Sequence, residues 1–145
     1  MRHFNTERVN SERGAVSSEF AVIMAVFFTS FVLVVVYAGR VTQANNDVRS
    51  AAQEAARAAS LTNTSTGAVA EAQRVAAANL VDSGLSCADG FTVNVDTANF
   101  TPGGNVSVAV TCHTSLRDLA AIGVPGTKTF AAKAVEVIDT YRASP

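Results

Sequence analysis

Hydrophobic positions are distributed unevenly along this chain. From Phe20 to Ala38 the sequence runs FAVIMAVFFTSFVLVVVYA, nineteen residues without a charge, in which Thr29 and Ser30 supply the polar groups of the middle. A helix that covers a soluble core keeps a polar stripe at helical spacing; this run has none, so the pattern predicts a helix surrounded by apolar material on all sides. At 1.5 Å per residue it covers about 28 Å, close to the ~30 Å hydrocarbon thickness of a bilayer. Its four Phe, six Val, one Ile and one Leu each favour insertion by about 0.3–0.6 kcal/mol, on the order of 5 kcal/mol together. The expected element is a transmembrane helix over residues 15–39. A cleaved secretory signal is the competing reading, but its apolar region spans about 7–15 residues and ends at a small-residue site. The present run is longer and closes on Tyr37, Gly39 and Arg40, which argues for retention.

Beyond Arg40 the spacing changes. Val41, Ala44, Val48, Ala51, Ala55 and Ala58 recur at intervals of three and four, with Gln43, Asp47, Arg49, Glu54 and Arg57 between them. This predicts a helix whose stripe of small side chains allows close packing, continuing the membrane helix across Gly39. Glycine there costs about 1 kcal/mol relative to Ala and leaves a bend as the alternative. Residues 61–67 (LTNTSTG) read as a loop, and Ala68–Asp82 as a second, Ala-rich helix stopped by Ser83 and Gly84. The period then falls to two. Phe91, Val93 and Val95 alternate with Thr92, Asn94 and Asp96, and Val106, Val108, Val110 and Cys112 share one side of the next run. Two antiparallel strands joined by a Pro/Gly turn are expected. After a break at 122–126, Phe130, Val135, Val137 and Ile138 suggest a third strand, without choosing its buried face. The fold class is α+β: a long N-terminal membrane helix, a second helix, and a small antiparallel sheet of about three strands. A sheet of this size with one apolar face needs cover, which the small-residue face after Val41 can supply.

Composition adds limits. With 145 residues and a formal net charge of −1, the chain has room for one domain of about 100 residues plus an N-terminal appendage, and its charge argues against nucleic acid as a partner. Arg2, Arg8 and Arg13 precede the apolar run and Arg40 and Arg49 follow it. That count weakly favours an N-terminus in the cytoplasm, which places the cysteine-bearing residues 40–145 outside as an extracytoplasmic domain.

Candidate chemistry is sparse. Cys87 precedes the first expected strand and Cys112 lies near the end of the second, where a hairpin brings chain ends together. A disulfide there would contribute about 3 kcal/mol in an oxidising compartment; two buried free thiols are the alternative. Cys87, Cys112 and His113 do not make a metal site, because strand neighbours point to opposite faces and no fourth ligand follows. Neither a nucleophile elbow, a zinc-protease helix, a phosphate loop nor a carboxylate pair is present, and His3 and His113 fall on opposite sides of the expected membrane. No enzyme activity and no cofactor are expected. Glu19 abuts the apolar run directly, and a carboxylate inside hydrocarbon costs several kcal/mol unless paired.

Arg13-Gly14, four intervening residues, then Glu19-Phe20 and a long apolar helix resembles the class III leader of type IV prepilins, especially the Flp branch with its G-x-x-x-x-E-Y/F pattern. The chain as a whole resembles the TadE-like family, pilin-like proteins of tight-adherence pilus and secretion systems. The R-G-A-x-x-x-E-F start, the single N-terminal helix, and a modest sheet domain ending in a V-P-G turn and an A-x-E strand carry that likeness. The resemblance implies that a prepilin peptidase cuts between Gly14 and Ala15, removing residues 1–14 as a leader. Glu19 would then be the fifth residue, and in pilins that acid pairs with the N-terminal amine of a neighbouring subunit. Implied partners are other pilins or pseudopilins, Tad inner-membrane assembly proteins, the prepilin peptidase and membrane lipid. The major Flp pilin is much shorter, so the likeness favours a minor pilin or pseudopilin. It implies residence in the inner (cytoplasmic) membrane, with incorporation into an extracellular pilus as a further expectation. The alternative is a membrane-tethered binding module whose helix is only an anchor.

Overall fold

The apolar run and the Ala-rich stripe after it form one helix in the computed structural model, α1 (Glu7–Ser60). The structure describes residues 7–87, 90–116 and 125–141, with side chains from residue 18 onward. The first six residues of the expected leader, with Arg2 and His3, lie outside the described residues, as do residues 122–124 of the expected break. The side chains of Arg8, Arg13, Gly14 and Ala15 are likewise outside. The chain divides into two compact units, Met1–Ala38 and Gly39–Pro145. α1 passes through Gly39 without interruption, and a side chain at Gly39 would meet nothing within 4 Å.

In the second unit, α1 buries Ala44, Val48, Ala51, Ala52, Ala55, Ala56 and Ala59. Val41 and Ala58, expected on the same stripe, are only half-buried. The expected stripe followed a 3.5-residue spacing, whereas an α-helix turns every 3.6, a drift of about 20° per heptad. By the last turn Ala58 has rotated to the margin and Ala59 has taken its place. Val41 lies near the middle of the face but at its beginning, where cover is incomplete.

The second helix, α2 (Ser65–Asp82), begins three residues before the expected Ala68. Thr64 accounts for the difference: it is extended and its hydroxyl accepts the Gly67 N–H at 3.1 Å, which satisfies one of the free donors of the first turn. A side chain at Gly67 would sit 2.9 Å from that hydroxyl, so a residue read as loop is the one that leaves room for the cap. α2 buries Ala68, Ala72, Ala76 and Leu80 at a strict spacing of four. At its end the Ser83 N–H donates to the Asn79 carbonyl and the Gly84 N–H to that of Val81, both at 3.0 Å. Gly84 has φ +71°, the left-handed conformation that stops helices, as expected from its position.

Three antiparallel strands follow in the order β1-β2-β3: β1 (Phe91–Asp96), β2 (Asn105–Ser115) and β3 (Thr127–Val137). The α+β architecture expected from the period change is the one observed. On the covered side, Val93, Val110 and Ala132 form one cross-strand row and Val95, Val108 and Ala134 the next. The central strand buries Val106, Val108, Val110, Cys112 and Thr114 completely or nearly so. β3 settles the face that its sequence left open: Phe130 is buried, while Val135 and Val137 point outward and are 52% and 72% exposed. Ile138, one residue past β3, is buried and held by the 103–104 turn, whose Gly103 N–H and Gly104 carbonyl bond its carbonyl and N–H. α2 contacts β1, Ala44 of α1 shares a cavity wall with Thr114 of β2, and Val41 and Asn45 share a groove with Phe130 of β3. Residues 41–45 of α1 thus lie beside β2 and β3, and α2 lies beside β1.

The N-terminal apolar helix as candidate functional site

Every large side chain of α1 between Phe20 and Val36 that carries a hydrophobic group of Phe, Val, Ile or Leu size is left open. Exposures run from 46% at Leu33 to 65% at Ile23. Among the described residues nothing else packs on this stretch, so its apolar surface is available on all sides. In water such a surface is strongly unfavourable, at about 25 cal/mol per Å²; in a bilayer or against other apolar helices it is what the surroundings require. Among the described residues, α1 is the helix long and apolar enough to cross a membrane, and this agrees with a single-pass membrane protein.

The two hydroxyls of the middle are already satisfied. Thr29 donates to the Ala25 carbonyl at 2.7 Å and Ser30 to the Val26 carbonyl at 2.8 Å. Bonding back four residues lets a hydroxyl sit in hydrocarbon without an external partner. Phe27 and Phe28 meet edge to face with ring centroids 5.8 Å apart. Gly14 and Ala15 fall within α1, and Glu19 and Phe20 sit on the same helix, both exposed. Glu19 makes no ion pair among the described residues. The charge adjacent to the apolar run is thus exposed, beside a stretch of helix left open among the described residues.

The remaining expected site residues lie in the second unit. Cys87 and Cys112 are joined, with S–S 2.03 Å and Cα atoms 5.4 Å apart. The bond ties the segment between α2 and β1 to the buried face of the central strand. Because both sulfurs are used, the Thr114 hydroxyl must be the donor in its 3.5 Å contact with Cys112 Sγ. His113 turns to the opposite face and pairs through Nδ1 with the Thr129 hydroxyl at 2.8 Å. It is thereby separated from the sulfurs, as strand alternation dictates. The small-residue positions that the sequence reading missed are Ala52, Ala56 and Ala59, and the 3.6-residue period would have found them.

A model of the TadE-like protein family matches residues 14–57. The matched segment begins at Gly14, includes Glu19, Phe20 and the whole apolar run, and extends through most of the buried stripe of α1. No curated protein and no solved structure matches the chain. Over residues 14–57, less than a third of its length, the chain is similar to TadE-like proteins.

Proposed function

We propose that the chain is a minor pilin or pseudopilin of a Tad-type pilus or secretion system, acting as a structural assembly component rather than a catalyst. Its N-terminus faces the cytoplasm, α1 crosses the inner membrane, and residues 40–145 form the outer domain. A prepilin peptidase removes residues 1–14 by cutting between Gly14 and Ala15. The observation that carries this reading is that the family match opens on Gly14, five residues before an acid that abuts a run of large apolar side chains left open among the described residues.

Glu19 gives the helix a use beyond anchoring. A carboxylate drawn to the hydrocarbon boundary is costly alone, and removing one member of a desolvated pair costs about 3–5 kcal/mol. The free amine created at Ala15 of a neighbouring subunit is a partner of the right sign, so pairing holds adjacent helices in one register. The uncovered apolar surface then supplies lateral contact with other pilin-type helices or with Tad membrane proteins.

Complementation of a deletion strain tests the reading. Glu19→Ala and replacement of residues 20–38 by an unrelated apolar span are both expected to leave membrane insertion intact and abolish assembly. If both variants restore assembly, the helix is only an anchor and the protein is a tethered binding module.

A further inference from the structure

β3 is an edge of the three-stranded sheet, with β2 on one side of it. At the two ends of that pairing the Leu116 N–H donates to the Gly126 carbonyl and the Ile138 N–H to that of Gly104. In an antiparallel pair every second residue exchanges both backbone bonds with its neighbour. Even-numbered residues of β3 therefore bond to β2. The N–H and C=O groups of Thr127, Thr129, Ala131, Lys133, Val135 and Val137 point to the other side, where no hydrogen bond takes them up among the described residues. A groove of about 370 Å³ lies between Val41, Thr42 and Asn45 of α1 and residues 128–131. Residues from both faces of β3 line it, which places it at the free edge.

An unpaired edge is a template for another strand, and the charges on β3 decide which strand fits. They are Lys128, Lys133 and Glu136. When two copies of β3 pair antiparallel along their full length, Thr127 lies opposite Val137 of the second copy and Ala132 opposite its counterpart. That register sets Lys128 against Glu136 twice and Lys133 against Ala131. A slip of one residue turns free backbone groups toward occupied ones. A slip of two sets Lys133 against Lys133 in one direction, and in the other leaves Lys128 opposite Ala134. Opposite charges stabilise directly facing positions and like charges destabilise them, so full overlap is the favoured register. Val135 and Val137, 52% and 72% exposed, then face Thr129 and Thr127 of the second copy.

We propose that β3 pairs with β3 of a second copy of this chain, antiparallel and centred on Ala132, so that two three-stranded sheets join about a two-fold axis. The pairing concerns the second unit alone and is independent of processing at Gly14.

Cysteine cross-linking of the detergent-solubilised full chain, read by non-reducing electrophoresis, tests it. Ala132 and its counterpart form a pair without backbone bonds, with Cα atoms about 4.5 Å apart and within disulfide reach. Two copies of Ala131 stand roughly 8 Å apart, outside that reach. Under mild oxidation Ala132→Cys should give a covalent dimer and Ala131→Cys very little. Added to Ala132→Cys, either Lys128→Glu or Glu136→Lys replaces two attractive pairs by two repulsive ones and should weaken association roughly tenfold. Both changes in one chain, or a mixture of the two single variants, should restore the dimer. Lys128 Nζ also lies 5.8 Å from the centre of the Phe130 ring, and loss of that contact alone would not be rescued by mixing. An unchanged melting temperature and an intact Cys87–Cys112 mass show that the variants are folded. Equal yields at positions 131 and 132 would mean chance collision and overturn the proposal, as would insensitivity to both charge reversals. No dimer from Ala132→Cys would leave the edge to a strand of another protein and overturn it as well.

Discussion

Glycines show how much a single residue can matter without changing the pattern around it. Gly39 and Gly104 are indistinguishable by composition, yet a side chain at Gly39 meets open space and one at Gly104 collides with the Asn99 carbonyl oxygen. Gly39→Ala should therefore raise helix stability by up to about 1 kcal/mol. Gly104→Ala forces the 99–105 turn open and should destabilise the second unit by about 1–3 kcal/mol in denaturant unfolding. The turn itself was legible in TANFTPGGN; which glycine it cannot do without was not, because that depends on where a carbonyl returns in space. Thr64 is a similar case. Its capping role rests on a hydrogen bond to Gly67, and the run LTNTSTG offers several hydroxyls of equal promise. The exposed Glu71–Arg74 pair on α2 matters less. The Arg74 guanidinium, at 2.6 Å, holds the Glu71 carboxyl below its usual range. That contribution is present above the ordinary carboxylate pKa and lost as pH falls through the lowered value, but its place at the surface lets solvent screen it. Glu71→Gln should leave the melting temperature nearly unchanged at neutral pH.

Among the elements, α1 was legible in type and misjudged in phase. Its apolar half needed only the absence of charge to be recognised, and its Ala-rich half only the three-four spacing. The buried face was displaced toward Ala58 because a 3.5-residue spacing slides off a 3.6-residue helix within a few turns. The consequence can be measured: Ala59→Leu overpacks a site that is 0% exposed and should cost about 1–3 kcal/mol, whereas Ala58→Leu, at the margin, should change stability by about 0.5 kcal/mol or less. Either result reversed would mean that the face of α1 is wrongly assigned. β3 was ambiguous for a different reason. Phe130 and Ile138 are eight residues apart, an even number, yet Val135 and Val137 lie between them with the opposite phase. Alternation cannot rank two apolar sets, and only pairing with β2 shows that Phe130, Ala132 and Ala134 face the core. Replacing Val135 by Thr should accordingly be close to neutral for unfolding.

For the molecule as a whole, two devices compensate for the small size of the second unit. The buried faces of α1 and α2 are made mostly of Ala, and the Cys87–Cys112 bond restricts the unfolded chain. Reduction of that bond should lower unfolding stability by about 3 kcal/mol, measured with and without reductant on the folded domain. Both cysteines were visible in the sequence with their hairpin positions, whereas the Thr114 hydroxyl that donates to the bond was not, since its contact depends on burial. The Gly14 to Phe20 motif was equally legible, and the family match over residues 14–57 agrees with it. What the fold adds is that the large apolar side chains from Phe20 to Val36, directly after this motif, are all left open among the described residues. Whether Gly14 is a processing site for an assembly element is therefore the decisive point. Intact-protein mass spectrometry of the N-terminus, from cells with and without the prepilin peptidase, tests this most directly. A chain that begins at Ala15 only when the peptidase is present is the predicted result, and an unprocessed Met1 terminus under both conditions would contradict it.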